Sequence, residues 1–279
     1  MNPAEPRIRL LAVDLDGTLW NHSLNFDARD SEALNQAARR GVEVVPVSAR
    51  PPFGIEYGLH GSDFYRYAIA YNGSLVYERA TQQELLNLVI PPAQAEAAID
   101  LIHKYRLYAG FYAGGDFYAE FDDENARLEA RSQGRHPVIV PDLSKFARRG
   151  PNKLIVIELK DNQRLSSFYE EASRNLADLS LLYSTDYTIE ICHSLVSKAS
   201  GLRFVAERLG IQPAEIMAVG DSYNDLSMIE LAGIGVAVAN APQEVRQAAD
   251  WVTASCQEGG VAQAVAKFIL EPGPAMVCP

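Results

Sequence analysis

The sequence predicts an α/β protein: a doubly wound, mostly parallel sheet interrupted by an inserted α+β domain. Three observations carry that prediction. Short apolar runs alternate with helix-period segments at both ends of the chain, the rhythm of strand–helix–strand units. Several of the runs stop at polar residues, as buried strands do where they reach an open sheet edge. Between about Thr81 and Ile191 the character changes to alternating, aromatic-rich strands, which reads as a separate block.

The run Ile8 to Val13 predicts the first strand, ending at Asp14-Leu15-Asp16-Gly17-Thr18-Leu19. Carboxylates two residues apart point the same way in an extended chain and repel each other. Gly17 allows a sharp turn, and the Thr18 hydroxyl can tie that turn down. On these six residues alone, an Asp-Gly turn capping a helix explains the pattern as well as a cation or phosphoryl site does. Asp30-Ser31 then predicts a cap for a helix through Arg40, with Ala33, Leu34, Ala37 and Ala38 as its apolar face and Gly41 as its stop. Val42 to Val47 is the second strand, ending at Ser48-Ala49-Arg50, and Pro51-Pro52 forbids its simple continuation. Such a unit is right-handed and parallel. Tyr67 to Ala70 predicts a third strand, and Tyr71-Asn72-Gly73 a turn into an antiparallel partner over Ser74 to Tyr77.

The inserted domain is placed at residues 82–191, leaving 1–81 and 192–279 for the main domain. In it, Tyr108 to Phe121 reads as a hairpin turning at Gly114-Gly115-Asp116, and Lys153 to Leu159 as a further strand. Helices are expected from Pro91-Pro92 through Tyr105 and from Asn162 to Leu176, with loops over Arg131 to Asn152. The hairpin aromatics read first as core, since aromatics alternating along a strand are usually buried there. The βα rhythm then returns. A helix carries Leu202, Val205, Ala206 and Leu209 and stops at Gly210; Ile216 to Val219 is a strand ending at Gly220-Asp221. Asn224 to Leu231 is a helix, Ile234 to Val238 a strand, and Pro242 opens another helix. Asp250 to Thr253 is a short strand, Gly259-Gly260 introduces the last helix to about Leu270, and a loose tail follows Pro272.

Composition narrows the function. The formal net charge of −11 argues against a nucleic-acid partner or an anionic membrane surface, both of which need a basic face. Cys192, Cys256 and Cys278 are far apart and the five histidines are scattered, so no zinc site is expected and the thiols read as reduced. The opening Met-Asn-Pro-Ala-Glu-Pro lacks the pattern of a secretion signal. With no apolar stretch near the ~20 residues of a membrane span, a cytoplasmic protein is expected.

Four strand ends carry groups capable of chemistry: Asp14 with Asp16, Ser48, Asn72 and Asp221. In an open parallel sheet such ends face one crevice, where ligands bind. Lys198, where the insert returns to the main sheet, and Asn224-Asp225 join them. Singly, Ser48 passes for a helix cap, Lys198 for a solvated lysine and Asp221 for a capping acid. Together at one edge they predict a site.

Asp-Leu-Asp-Gly-Thr-Leu (14–19), Ser48, Lys198 and Gly-Asp-x-x-Asn-Asp (220–225) together resemble the haloacid dehalogenase superfamily. Asn72-Gly73, Ser197-Lys198, the stretch Gly235 to Ala241 and Glu258-Gly-Gly-Val261 are similar to its Cof-type phosphatase branch. Two mild departures are Ser48-Ala49-Arg50 where that branch usually has Thr-Gly-Arg, and Val238 where it often has Met. The resemblance implies a Rossmann-like core with the insert as a cap over the crevice. It implies a Mg²⁺-dependent phosphatase acting on a small phosphorylated metabolite: a sugar phosphate, nucleotide or phosphorylated cofactor. Asp14 would be the nucleophile, forming an aspartyl-phosphate, and Asp16 the general acid and then base. Mg²⁺ would be held by Asp14, the Asp16 carbonyl and Asp221. Ser48 and Lys198 would hold phosphoryl oxygens, Asn224 and Asp225 would orient water and Lys198, and Asn72 and Arg50 would support the phosphate or substrate. The alternatives are a phosphomutase, which returns the phosphoryl group to substrate, and a non-catalytic switch phosphorylated on Asp14. An ion-pumping ATPase and a dehalogenase fit less well, the first for want of membrane spans and the second because it needs neither Asp16 nor a metal.

Overall fold

The computed structural model describes residues 8–21 and 27–271; the expected tail and Cys278 lie outside the described residues. Strand β1 (Leu10–Asp14) is buried along its whole length, as its apolar run requires. Helix α1 (Ala28–Arg39) is capped by Asp27, whose carboxylate accepts the Arg29 N–H at 2.8 Å, and not by the expected Asp30-Ser31. Asp30 is instead buried in the first turn, where its Oδ1 accepts the Ala262 N–H at 2.6 Å. Strand β2 (Glu43–Val47) leads into a short helix that the sequence reading missed, α2 (Pro52–Gly58); Pro52 suits its first turn because no partner is needed there for the missing N–H. Strands β3 (Tyr67–Ala70) and β4 (Leu75–Glu78) pair antiparallel around Tyr71–Gly73, and β5 (Gln83–Asn87) follows.

The chain then forms α3 (Pro92–Lys104), β6 (Tyr108–Ala113), β7 (Asp116–Ala119), α4 (Glu124–Gln133), β8 (Val138–Ile139), β9 (Lys153–Ile157), α5 (Asn162–Asn175) and a hairpin of β10 (Leu179–Thr185) and β11 (Thr188–His193). It closes with α6 (Lys198–Leu209), β12 (Ile216–Gly220), α7 (Leu226–Leu231), β13 (Ile234–Ala237), α8 (Gln243–Ala248), β14 (Trp251–Val252) and α9 (Gly260–Val265), which continues as a π-helical turn over Ala266–Leu270. No helix among the described residues is long and apolar enough to cross a membrane.

Two compact units result. The first takes the described residues up to Ala49, Gly58–Leu86, and those from Ser197 on; the second takes Arg50–Tyr57 and Asn87–Val196. The first unit is built on an eight-stranded sheet in the order β14-β13-β12-β1-β2-β3-β4-β5, parallel from β14 to β3. Leu10, Ala12, Val45 and Ile69 of the sheet pack with Leu202 and Val205 of α6, while α1 packs against α9. The second unit holds a six-stranded sheet in the order β10-β11-β9-β6-β7-β8. Phe111, Leu154, Val156 and Ile191 on one face join Ile99 of α3 and Phe168 of α5 in one core. Alternate residues point the other way, and there Lys153 Nζ meets Glu190 Oε1 at 2.9 Å, both side chains buried. The α/β class with an α+β insertion is the observed fold.

The insert holds three α-helices where two were expected, and α4 runs into a stretch read as loop. Its buried positions, Ala126, Glu129, Ala130 and Gln133, do keep helical spacing. Two of the four are polar, so a hydrophobic period cannot reveal them. Burial of Glu129 is compensated by the Tyr112 hydroxyl, which donates to its carboxylate. The unit limits also differ from the expected 81/82 and 191/192. Strand β5 adds to the first sheet although its residues are mostly exposed, and an edge strand without a buried face carries little pattern.

Candidate active site

Asp14 ends β1, level with Val47 of β2, while Val13 is level with Val219 of β12. The register therefore brings Ser48 and Asp221, each just past its own strand, beside Asp14. From Asp14 the chain folds into a tight loop in which the Leu15 carbonyl accepts the N–H groups of Leu19 (3.0 Å) and Trp20 (2.7 Å). Gly17 sits at φ +85°, and a Cβ there would lie 2.3 Å from Asp221 Oδ2. The Thr18 hydroxyl does not tie down its own turn; it donates to Asp221 Oδ1 at 3.1 Å. The loop is braced from outside by Asn240, whose Nδ2 donates to the Gly17 carbonyl at 2.8 Å and whose Oδ1 accepts the Cys256 N–H. Asn240 stood within a stretch singled out in the sequence but carried no assigned contact, whereas Thr18 was expected to bond within its own turn.

Lys198 is the first residue of α6, capped by Ser197, which forms a reciprocal capping box with Ser200. This helix end approaches so closely that a Cβ on Gly73 would lie 2.1 Å from the Ser197 carbonyl oxygen. Tyr71, Asn72 and Gly73 all adopt positive φ (51°, 57° and 105°), a strained turn that only a stabilised surrounding sustains. Lys198 Nζ, 1% exposed, donates to Asp14 Oδ1 at 2.6 Å and to Asp225 Oδ1 at 2.5 Å. Burial alone would favour the neutral amine, but Asp14 and then Asp225 outweigh it and hold the ammonium above its ordinary range. Asp225 Oδ2 accepts the N–H groups of Asp221 (3.0 Å) and Ser222 (2.9 Å). Asn224 Nδ2 donates to Asn72 Oδ1 at 3.0 Å.

Asp14, Asp221 and Asp225 bring carboxylate oxygens within 4.8 Å of one another. Burial, and then the nearby Asp225 charge, push Asp14 well above the usual carboxylate range and Asp221 up to about 6. Three anions against the single charge of Lys198 leave an excess that a cation relieves, and an all-oxygen set suits a hard divalent ion. The donor set thus fits a divalent metal. Asp225 occupies this cluster with Asp14 and Asp221, whereas the exposed Asp16 side chain is not one of its members. Ser48 is buried, its N–H on the Ile69 carbonyl and its carbonyl accepting the Asn72 N–H, each at 2.9 Å. Arg50 is the one expected site residue assigned to the second unit, where its Nη1 donates to the Ser132 carbonyl.

The family of haloacid dehalogenase-like hydrolases matches this chain over residues 11–265. YxeH of Bacillus subtilis is 32% identical over 271 residues, covering 94% of this chain and 98% of its own. YcsE of the same organism, named as a 5-amino-6-(5-phospho-D-ribitylamino)uracil phosphatase, is 27% identical over 266 residues, 94% of this chain and 96% of its own. Among solved structures, TM0651 from Thermotoga maritima superposes with a TM-score of 0.82 at 31% identity, covering 92% of this chain and 96% of that one.

Proposed function

The chain belongs to the haloacid dehalogenase-like hydrolases, in their Cof-type branch, and we propose that it hydrolyses a small phosphorylated metabolite with Mg²⁺ through an aspartyl-phosphate on Asp14. One observation carries the reading: a buried lysine bonded to Asp14, beside three carboxylates gathered within 4.8 Å. In this scheme Asp14 attacks phosphorus in line and the phosphoryl–alcohol bond breaks. Asp16, whose side chain is exposed, gives its proton to the departing alkoxide and takes one from the water that then cleaves the acyl phosphate. Lys198 and the Ser48 hydroxyl hold phosphoryl oxygens, where charge is spread in the transition state. Asp14, the Asp16 carbonyl and Asp221 would hold Mg²⁺, which supplies charge neutralisation and alignment of a phosphoryl oxygen. Asp225 fixes Lys198 through its 2.5 Å bond, and the Asn72–Asn224 pair supports the phosphate side of the crevice. The activity named for YcsE supports a small metabolite as the class of substrate.

The test is phosphate release from p-nitrophenyl phosphate and from a panel of sugar phosphates, nucleotides and phosphorylated cofactors, with Mg²⁺ and with chelator. Turnover that needs Mg²⁺ is expected. Isomerised substrate without released phosphate, or turnover indifferent to chelator, would overturn the reading.

A further inference from the structure

Asn240 joins two loops within the first unit. Its own loop leaves β13 and is rooted beside Asp221: Ala237 is level with Gly220, and the Val238 N–H donates to the Gly220 carbonyl at 3.2 Å. From there its amide bonds in two directions. Its Oδ1 accepts the Cys256 N–H at 3.0 Å, and its Nδ2 donates to the Gly17 carbonyl at 2.8 Å. Among the described residues nothing else bonds that carbonyl. The bonds internal to the loop after β1 lie elsewhere: the Gly17 N–H donates to the Trp20 carbonyl at 2.8 Å, and the Leu15 carbonyl takes Leu19 and Trp20. The peptide joining Gly17 to Thr18 is held from inside the loop only by the Thr18 N–H, at a long 3.3 Å from the same Leu15 carbonyl. Glycine at φ +85° offers no side chain against rotation of that peptide. Thr18 stands at its far end, buried, with its hydroxyl donating to Asp221 Oδ1 at 3.1 Å.

We infer that Asn240 is a positioning residue for the Asp221 carboxylate, acting through the Gly17–Thr18 peptide; this rests on the phosphatase reading, in which Asp221 holds Mg²⁺. The bonds close a circuit. Gly220 fixes the root of the Asn240 loop, Asn240 fixes the Gly17 carbonyl, that peptide sets Thr18, and the Thr18 hydroxyl orients the carboxylate next to Gly220. The carboxylate needs such a hold, because the oxygens of Asp14 and Asp225 lie within 4.8 Å of its own and like charges push it away. Hydrogen bonds that orient a ligating carboxylate commonly decide its affinity for the ion. The Asn240 side chain is exposed, so truncating it empties no core and acts through its two bonds.

The test is a double-mutant cycle on metal binding by the substrate-free protein. Mn²⁺, which takes the same oxygen donors as Mg²⁺, is titrated and read from the loss of the free-ion electron paramagnetic resonance signal. The Mg²⁺ dependence of p-nitrophenyl phosphate turnover and melting in chelator are read in parallel. Thr18→Val is expected to weaken Mn²⁺ binding about tenfold, and Asn240→Ala, one bond further out, about fivefold. Thr18→Ser keeps the hydroxyl and binds within about twofold of wild type. In a Thr18→Val background, Asn240→Ala costs less than about twofold, because its route to Asp221 is already gone. Turnover of Asn240→Ala is lowest at low Mg²⁺ and recovers as Mg²⁺ is raised. Unchanged Mn²⁺ binding in Asn240→Ala overturns the inference, as does a loss that is as large without the Thr18 hydroxyl as with it. If Asn240→Ala does not fold, Asn240→Ser goes through the same cycle under the same criteria. A wild-type protein that binds no Mn²⁺ takes down the metal site and this inference with it. One that binds Mn²⁺ but releases phosphate from no phosphomonoester takes down the phosphatase reading, and the binding cycle still decides the role of Asn240.

Discussion

Lys198 Nζ and Asp14 Oδ1 are 2.6 Å apart across 184 positions of chain, both buried. The same ammonium reaches Asp225, so one cation stands between two anions that could not otherwise share a dry site. Lys198→Ala is expected to lower kcat on p-nitrophenyl phosphate by about 10²–10³-fold, the usual scale for losing one electrostatic contact to developing charge. Lys198→Arg keeps the charge in a different shape, and only partial recovery is expected. Undiminished turnover in Lys198→Ala would remove the lysine from the mechanism.

Asp14→Asn and Asp16→Ala should each reduce turnover by on the order of 10³-fold or more, since in the proposed mechanism one removes the nucleophile and the other the proton carrier. They differ in what accumulates. With Asp16→Ala, an acyl phosphate on Asp14 is expected to persist after a good leaving group departs, detectable by mass. No such adduct should form with Asp14→Asn.

Gly17→Ala places a Cβ 2.3 Å from Asp221 Oδ2 at a backbone φ of +85°. The backbone strain alone is about 1–2 kcal/mol, and the clash displaces a carboxylate of the metal-fitting cluster. A several-fold rise in the Mg²⁺ concentration for half-maximal activity is expected, with a lower melting temperature. A variant with wild-type Mg²⁺ dependence would show that Asp221 is not a ligand.

Asp30 links α1 to α9 from a buried position, and burial is the main cause that raises its carboxyl from 3.8 to about 6. Its folded form holds the proton more tightly than the unfolded chain, so stability falls as pH rises from about 3.8 to 6 and stays lowered above that. The shift corresponds to a penalty on the order of 3 kcal/mol at neutral pH. Asp30→Asn keeps an acceptor for the Ala262 N–H without the charge. It is expected to melt higher than wild type at pH 7.5, with the gain shrinking toward pH 4. A gain independent of pH would contradict the assignment.

In the second unit, Lys153 and Glu190 form a buried pair at 2.9 Å. Lys153→Met alone leaves Glu190 without its cation and is expected to cost about 3–5 kcal/mol in chemical denaturation. Adding Glu190→Leu should restore more than half of that loss. An additive double mutant would mean that the two charges do not depend on each other.

Much of the fold was legible in the chain because its signals are local. The apolar runs of β1, β2, β3 and β12 lead to Asp14, Ser48, Asn72 and Asp221, and Gly210 closes α6 in a left-handed cap. The parallel order of these strands follows from their alternation with helices, so the sequence alone could bring distant polar residues to one edge. It could not decide their partners. That Asp225 joins Asp14 and Asp221, that Thr18 bonds Asp221, that Asp30 is buried beneath α9 and that Arg50 is held by α4 all depend on contacts between distant segments. Helix α4 was missed for the same reason: the buried Glu129 carboxylate is held by donors from Tyr112 and Gln133, not by any apolar character of its own. Apolar burial is written into a residue's own chemistry, whereas a buried polar group is stable only with its partner, and only the tertiary structure supplies that partner.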